Sequence, residues 1–299
     1  MVTFAETQPT ASPAAAEPIT PIPAPPILDA RRLALGDRLF HEPRLSRNNA
    51  TSCNTCHDTL TNGASARARD AGPDGRPLPL NTPTVFNAAL SFRLNWAGER
   101  RTLEAQAAES LLLTMGETVE GVVAKLRAEP ELAAMFHEAY GRDPDGQGLL
   151  DAIATYERSL LTPGSRFDQW LAGNENAITE KELAGYQLFK SLGCVSCHQG
   201  VNVGANMFQR HGVFHPLAAK DPIILRVPSL RNVMTTPPYF HDGSAATVEE
   251  AVQGMGRAQL DRVLTEEQVE AIVAFLDTLT GTYLGHPVTR ATAGSGAPP

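Results

Sequence analysis

Apolar residues recur at helical intervals along most of the chain. The stretches "VEGVVAKLRAEPELAAMFHEAYG" (119–141) and "GLLDAIATYERSLL" (148–161) predict helices. So does "TEEQVEAIVAFLDTL" (265–279), which opens on Thr-x-x-Gln and carries one apolar stripe. Shorter helical stretches contain "GDRLF" (36–40) and "GYQLF" (185–189), and "TLEAQA" and "TVEEAV" open two more. "TVEE" has the Thr-x-x-Glu shape of a capping box. Strand signals are few and short, so the expected fold class is mainly α. Outside this pattern, "MVTFAETQPTASPAAAEPITPIPAPP" is rich in Ala, Pro and Thr and has no periodicity. It predicts a disordered arm over 1–27, and "RATAGSGAPP" predicts a disordered tail within 287–299. The passage "PGSRFDQWLAGNENAIT" (163–179) separates two halves, expected as domains over 28–165 and 166–286.

Those halves repeat. "GDRLF" and "GYQLF" share G-x-x-L-F, and "PTVFN" (83–87) matches "PSLRN" (228–232). Equal intervals lead from Asn87 to Gly98 and Thr102, and from Asn232 to Gly243 and Thr247. One match could be chance. A shared register across several sites argues for internal duplication.

The chain has 299 residues, 42% of them hydrophobic, enough for one large core or two ordinary ones. A net charge of −8 without a basic run argues against a nucleic-acid partner. No stretch approaches the roughly 20 apolar residues of a membrane span. The arm has no apolar h-region and does not read as a secretion signal.

All four cysteines lie in two copies of one pattern, "CNTCH" at Cys53–His57 and "CVSCH" at Cys194–His198. A redox dithiol needs no following histidine and normally sits in a βαβ unit. A zinc site could join two C-x-x-C pairs, but each histidine would then be superfluous. C-x-x-C-H attaches c-type haem: two thioethers hold the vinyl edges and the histidine binds iron. The expectation is two covalent haems, on Cys53, Cys56 and His57 and on Cys194, Cys197 and His198, in two cytochrome c-like domains. Thioether attachment in bacteria takes place outside the cytoplasm, which predicts a periplasmic location.

The duplication bears on the sixth iron ligand. Met255 stands as far beyond Asn232 as Ser110 stands beyond Asn87. A thioether is a soft axial ligand that raises a haem's potential, whereas serine is a poor iron ligand. The asymmetry predicts one His198/Met255 electron-transfer haem and one haem with a different sixth position. Helix core is the alternative reading of Met255. His241, at the position equivalent to Trp96, is its main rival as ligand.

Over residues 28–285 the chain resembles the bacterial di-haem cytochrome c peroxidases and their MauG-type relatives. "LGDRLFHEPRLS…SCNTCH", "NTPTVFN", "NWAGERRTLEAQA", "LGCVSCHQGVNVG", "VPSLRNV", "TTPPYFHDG" and "AVQGMG" carry the resemblance, in that order. It implies a peroxide-reacting haem on His57 and a haem on His198 that takes electrons from a small cytochrome c or copper protein. It also implies that Trp96 bridges the two, that Gln106 is the distal glutamine, and that many members are homodimers. A calcium ion between the halves would be held by the Asn81 side chain and the carbonyls of Thr236 and Pro238, an oxygen set suited to a hard cation.

Two departures matter. The loop "DTLTNGASARARDAGPDGRPLPLN" lacks the histidine that blocks the peroxidatic iron in many members, and none occurs between His57 and His137. This predicts an N-terminal haem open without reductive activation. The family's distal Glu-Met pair is replaced by Thr114-Met115, leaving Glu117 or Glu109 as the acids that a shifted register would bring in. The leading expectation is reduction of hydrogen peroxide to water. Its rivals are MauG-type oxidation of a partner protein and a non-catalytic di-haem electron carrier.

Overall fold

The computed structural model describes residues 17–218 and 223–291. Helix α1 (Ala30–Phe40) begins where the Asp29 side chain accepts from the Arg31 and Arg32 amides. It crosses α6 (Gly146–Ser159) at Gly36, where a Cβ would lie 2.0 Å from the Ala152 carbonyl oxygen. In the second half α8 (Glu180–Ser191) crosses α10 (Glu266–Asp277) at Gly185, and a Cβ there would lie 1.9 Å from the Ala271 carbonyl oxygen. Tyr156 and Phe275 fill the same corner of the two crossings. The shared G-x-x-L-F motif is thus a helix-crossing motif: glycine admits the partner backbone, and the following apolar pair packs into each core.

Around these crossings lie α2 (Cys53–Cys56), α3 (Leu103–Leu113), α7 (Arg166–Leu171) and α9 (Val248–Leu260). Capping boxes at Thr179/Glu182, Thr247/Glu250 and Thr265/Gln268 start α8, α9 and α10. The stripe over 119–141 is two helices, α4 (Val119–Arg127) and α5 (Pro130–Tyr140). Pro130 lacks an N–H and holds Glu129 extended (φ −105°, ψ 105°), so the helix restarts there. The strands are short antiparallel pairs. β1 (Phe208–Arg210) pairs with β2 (Ile224–Arg226) with Phe208 opposite Arg226; β3 (Thr282–Tyr283) pairs with β4 (His286–Pro287).

Each half has its own core, the first around Leu35, Leu39, Leu126 and Phe136, the second around Phe167, Tyr186, Ile272 and Phe275. Both disordered ends need correction. Residues 1–16 and 292–299 lie outside the described residues, but the rest of the arm and the start of the tail are packed. Ile19 is fully buried in the second core, and the Thr20 carbonyl accepts from the buried Arg231 guanidinium at 2.8 Å. Glu17 pairs with Lys190 at 3.0 Å. Val288 joins the first core, Tyr283 packs against it, and Arg290 Nε donates to the Met234 carbonyl. The two described ends therefore cross, each packing on the half remote from it in sequence.

Candidate haem centres

The one-turn helix α2 starts at Ser52, and the His57 amide closes it by donating to the Cys53 carbonyl. His57 Nδ1 lies 3.0 Å from the Gly63 carbonyl oxygen. A carbonyl only accepts, so Nδ1 carries the proton and Nε2 keeps its lone pair for a metal. The second half repeats this: Gly193 (φ 91°) turns the chain into one 3-10 turn at Cys194–Ser196, and His198 Nδ1 lies 3.2 Å from the Val203 carbonyl oxygen. Burial lowers the pKa of both imidazoles, that of His198 to about 4, so both rings are neutral. The four cysteines are free and half-buried. Two thiols and one metal-ready imidazole in each half fit a c-type haem.

Trp96 sits where the halves meet. It is 8% exposed, and its Nε1 donates to the Asn81 carbonyl at 2.8 Å. The Asn81 amide in turn donates to the His241 carbonyl at 2.8 Å. Trp96 packs edge-on to His241 with centroids 6.2 Å apart, and His241 packs on His211 at 4.8 Å. His211, given no role above, thus extends a row of three rings from one half into the other. Arg226, buried, ties the second half to the first by donating to the carbonyls of Trp96 and Asn95.

Asn81 donates through Nδ2 to the carbonyls of Arg67 and Ala68 at 3.1 and 3.2 Å, which fixes the amide and leaves Oδ1 as its accepting oxygen. Its backbone bond to His241 joins it to the chain three residues beyond Pro238. Met255 lies half-buried on α9; Ala251 and Val252 of that helix pack on the second core, and Met255 is not among the residues of that cluster.

Helix α3 carries Gln106, whose Nε2 donates to Ser110 Oγ at 3.3 Å. Its Oε1 is buried without a hydrogen-bond partner among the described residues. Thr114 caps the end of this helix. The two acids near it are engaged. Glu117 pairs with Lys125 at 2.8 Å, which holds its pKa down, and Glu109 pairs with Arg100. Glu157 on α6, a residue the sequence did not single out, is 9% exposed. It lies near enough to Cys53 to act on that thiol electrostatically, a proximity no sequence periodicity reveals.

The di-haem cytochrome c peroxidase family matches residues 30–176, and the cytochrome c family matches 183–280. Cytochrome c551 peroxidase of Nitrosomonas europaea is 41% identical, over 90% of this chain and 85% of its own. Cytochrome c peroxidase Ccp of Escherichia coli is 38% identical, over 89% of this chain and 62% of its own. Among solved structures, a MauG-like protein associated with microbial copper homeostasis superposes with a TM-score of 0.74 at 27% identity, covering 87% of this chain and 93% of that one. The chain belongs to the family of bacterial di-haem cytochrome c peroxidases and MauG proteins, and is a peroxidase-type oxidoreductase of two c-type haems.

Proposed function

We propose that this protein reduces hydrogen peroxide to water at the N-terminal haem, held by Cys53, Cys56 and His57, without prior reductive unblocking. The observation that carries the open site is the supply of histidines. No histidine follows His57 before His137, which is exposed on α5, and His41 is exposed and tied to Asp37 at 3.2 Å. When bound, the haem supplies the redox chemistry. Around it, His57 is oriented by the Gly63 carbonyl, and Gln106 presents an unpartnered amide oxygen at which a peroxide O–H can be held.

The His198 haem, with Met255 opposite, passes electrons from a small cytochrome c or copper protein, and Trp96 bridges the halves. Three observations support this: Met255 lies half-buried outside the second core, His241 is occupied in the row of rings, and Trp96 lies at the junction. A calcium ion at Asn81 Oδ1 and the Thr236 and Pro238 carbonyls would tie the two halves. Thioether attachment, which in bacteria takes place outside the cytoplasm, supports a periplasmic location; no helix among the described residues is long and apolar enough to cross a membrane.

The same open site favours a second reading, in which peroxide equivalents oxidise a partner protein, as the likeness to a MauG-like structure also suggests. Met255, where MauG-type enzymes carry a tyrosine ligand, speaks for the first. Low-temperature EPR of the oxidised holoprotein tests the proposal. One high-spin and one low-spin ferric signal are expected; two low-spin signals would overturn the open site. Rates with a reduced cytochrome against a protein substrate then separate the two readings.

A further inference from the structure

Peroxide reduction consumes protons as well as electrons, H2O2 + 2 e− + 2 H+ → 2 H2O, and a buried iron needs a route for the protons. Helix α3 supplies no free acid: Thr114 stands in the glutamate position, Glu109 is held by Arg100 and Glu117 by Lys125. Helix α6, packed against α3, does. Glu157 is 9% exposed, and its Oε2 has no hydrogen-bond partner among the described residues.

The duplication shows how unusual this is. The Gly36 and Gly185 crossings align Ala152 with Ala271 and Tyr156 with Phe275. Glu157 therefore occupies the position that Leu276, 3% exposed, fills in the second half. A leucine packs there at no cost, whereas a carboxyl oxygen buried without a partner is expensive. Its charged neighbours are Glu104 on α3 and Arg158 on α6. Cys53 on α2 is close by, its thiol becoming an uncharged thioether once haem is attached. From α1, Asp37 and His41 form their pair beside the adjoining Tyr156. Glu104 and Arg158 make an ion pair whose side chains are 32% and 36% exposed, so it reaches solvent.

We propose that Glu157 is the proton relay of the N-terminal haem. Its carboxyl O–H gives a proton inward to peroxide oxygen as the O–O bond breaks and is reprotonated from solvent at the Glu104–Arg158 edge. The electrons come from the donor protein, and both oxygens leave as water. Burial, reinforced by Glu104, raises the carboxyl to about 8, so the relay is loaded at neutral pH.

The relay rests on His57 marking the peroxide site. It is tested on the full holoprotein with Glu157→Gln, nearly isosteric, and Glu157→Leu, the second half's own solution. Stopped-flow reaction of the N-terminal haem with peroxide at pH 7 is expected to slow by about 10²-fold or more in both variants. The midpoint potential of that haem is expected to fall in the parent as pH rises beyond about 8 and to lose this dependence in both variants, with the C-terminal haem unchanged. Parent-like rate and pH dependence in Glu157→Gln would overturn the relay. A low-spin N-terminal haem in the parent would overturn the open-site reading by itself; the relay then stands if both variants lose the pH dependence of the potential and falls if they keep it.

Discussion

Asn87 and Asn232, the duplicated asparagines, donate through Nδ2 to one acceptor, the Thr162 hydroxyl, at 2.8 and 3.0 Å. Both stand in the left-handed region (φ 61° and 60°), and their amides donate to the carbonyls of Leu160 and Leu279, which are also equivalent. Thr162 therefore sits at the centre of the duplication. Thr162→Val leaves two buried amide donors unpaired, each costing about 1–3 kcal/mol, while Thr162→Ser keeps the acceptor. Denaturant unfolding of the holoprotein should show Thr162→Val losing at least about 2 kcal/mol against a small change in Thr162→Ser.

The two glycine crossings carry a matched prediction. Alanine at Gly36 or Gly185 would drive Cβ to within 2.0 or 1.9 Å of a helix carbonyl that has no rotamer to yield. Each substitution should cost about 1–3 kcal/mol or more by thermal unfolding, through separation of α1 from α6 or of α8 from α10.

How much of this could be read beforehand depends on where the determining contact lies. The haem pattern is local: Cys53, Cys56 and His57 must fall within one turn, so spacing alone exposes them. The Asn and Gly registers were legible because duplication prints each constraint twice. Ile19 was not, because two isoleucines in an Ala/Pro-rich stretch make no periodicity, and the Arg231 side chain that holds the Thr20 carbonyl comes from a remote segment. Glu157 was hidden for the opposite reason. It follows Tyr156 in a regular helix, and only the packing of α3 and α2 on that face shows that it faces inward.

The buried arm gives a direct test of its contribution. Ile19→Ala removes a fully buried side chain from the second core and should cost about 2–4 kcal/mol. Arg231, 1% exposed, pairs with Asp168 at 2.8 Å and also donates to the Val201 and Thr20 carbonyls and to Ser165. Arg231→Met strands the Asp168 carboxylate and should cost about 3–5 kcal/mol. Both losses are read from chemical denaturation midpoints.

Met255→Ala tests the sixth ligand of the second haem. Removing a thioether should lower that haem's potential and slow its reduction by the donor, with a new high-spin signal replacing the low-spin one. An unchanged low-spin spectrum would pass the ligand role to another residue, His241 first.

Glu157 also makes a stability prediction that is independent of turnover. Its carboxyl rises from 4.5 to about 8 on folding, so between those values the folded chain binds a proton that the unfolded chain lacks. Stability from this group is therefore complete below about pH 4.5, declines as pH rises, and is lost by about pH 8. The span corresponds to a cost on the order of a few kcal/mol for holding the charge in the core. Glu157→Gln has no proton to lose. Plotted as parent minus variant, unfolding free energy should fall steadily from pH 5 to 8 and then level off; a flat difference would mean that the carboxyl is not desolvated in the folded protein.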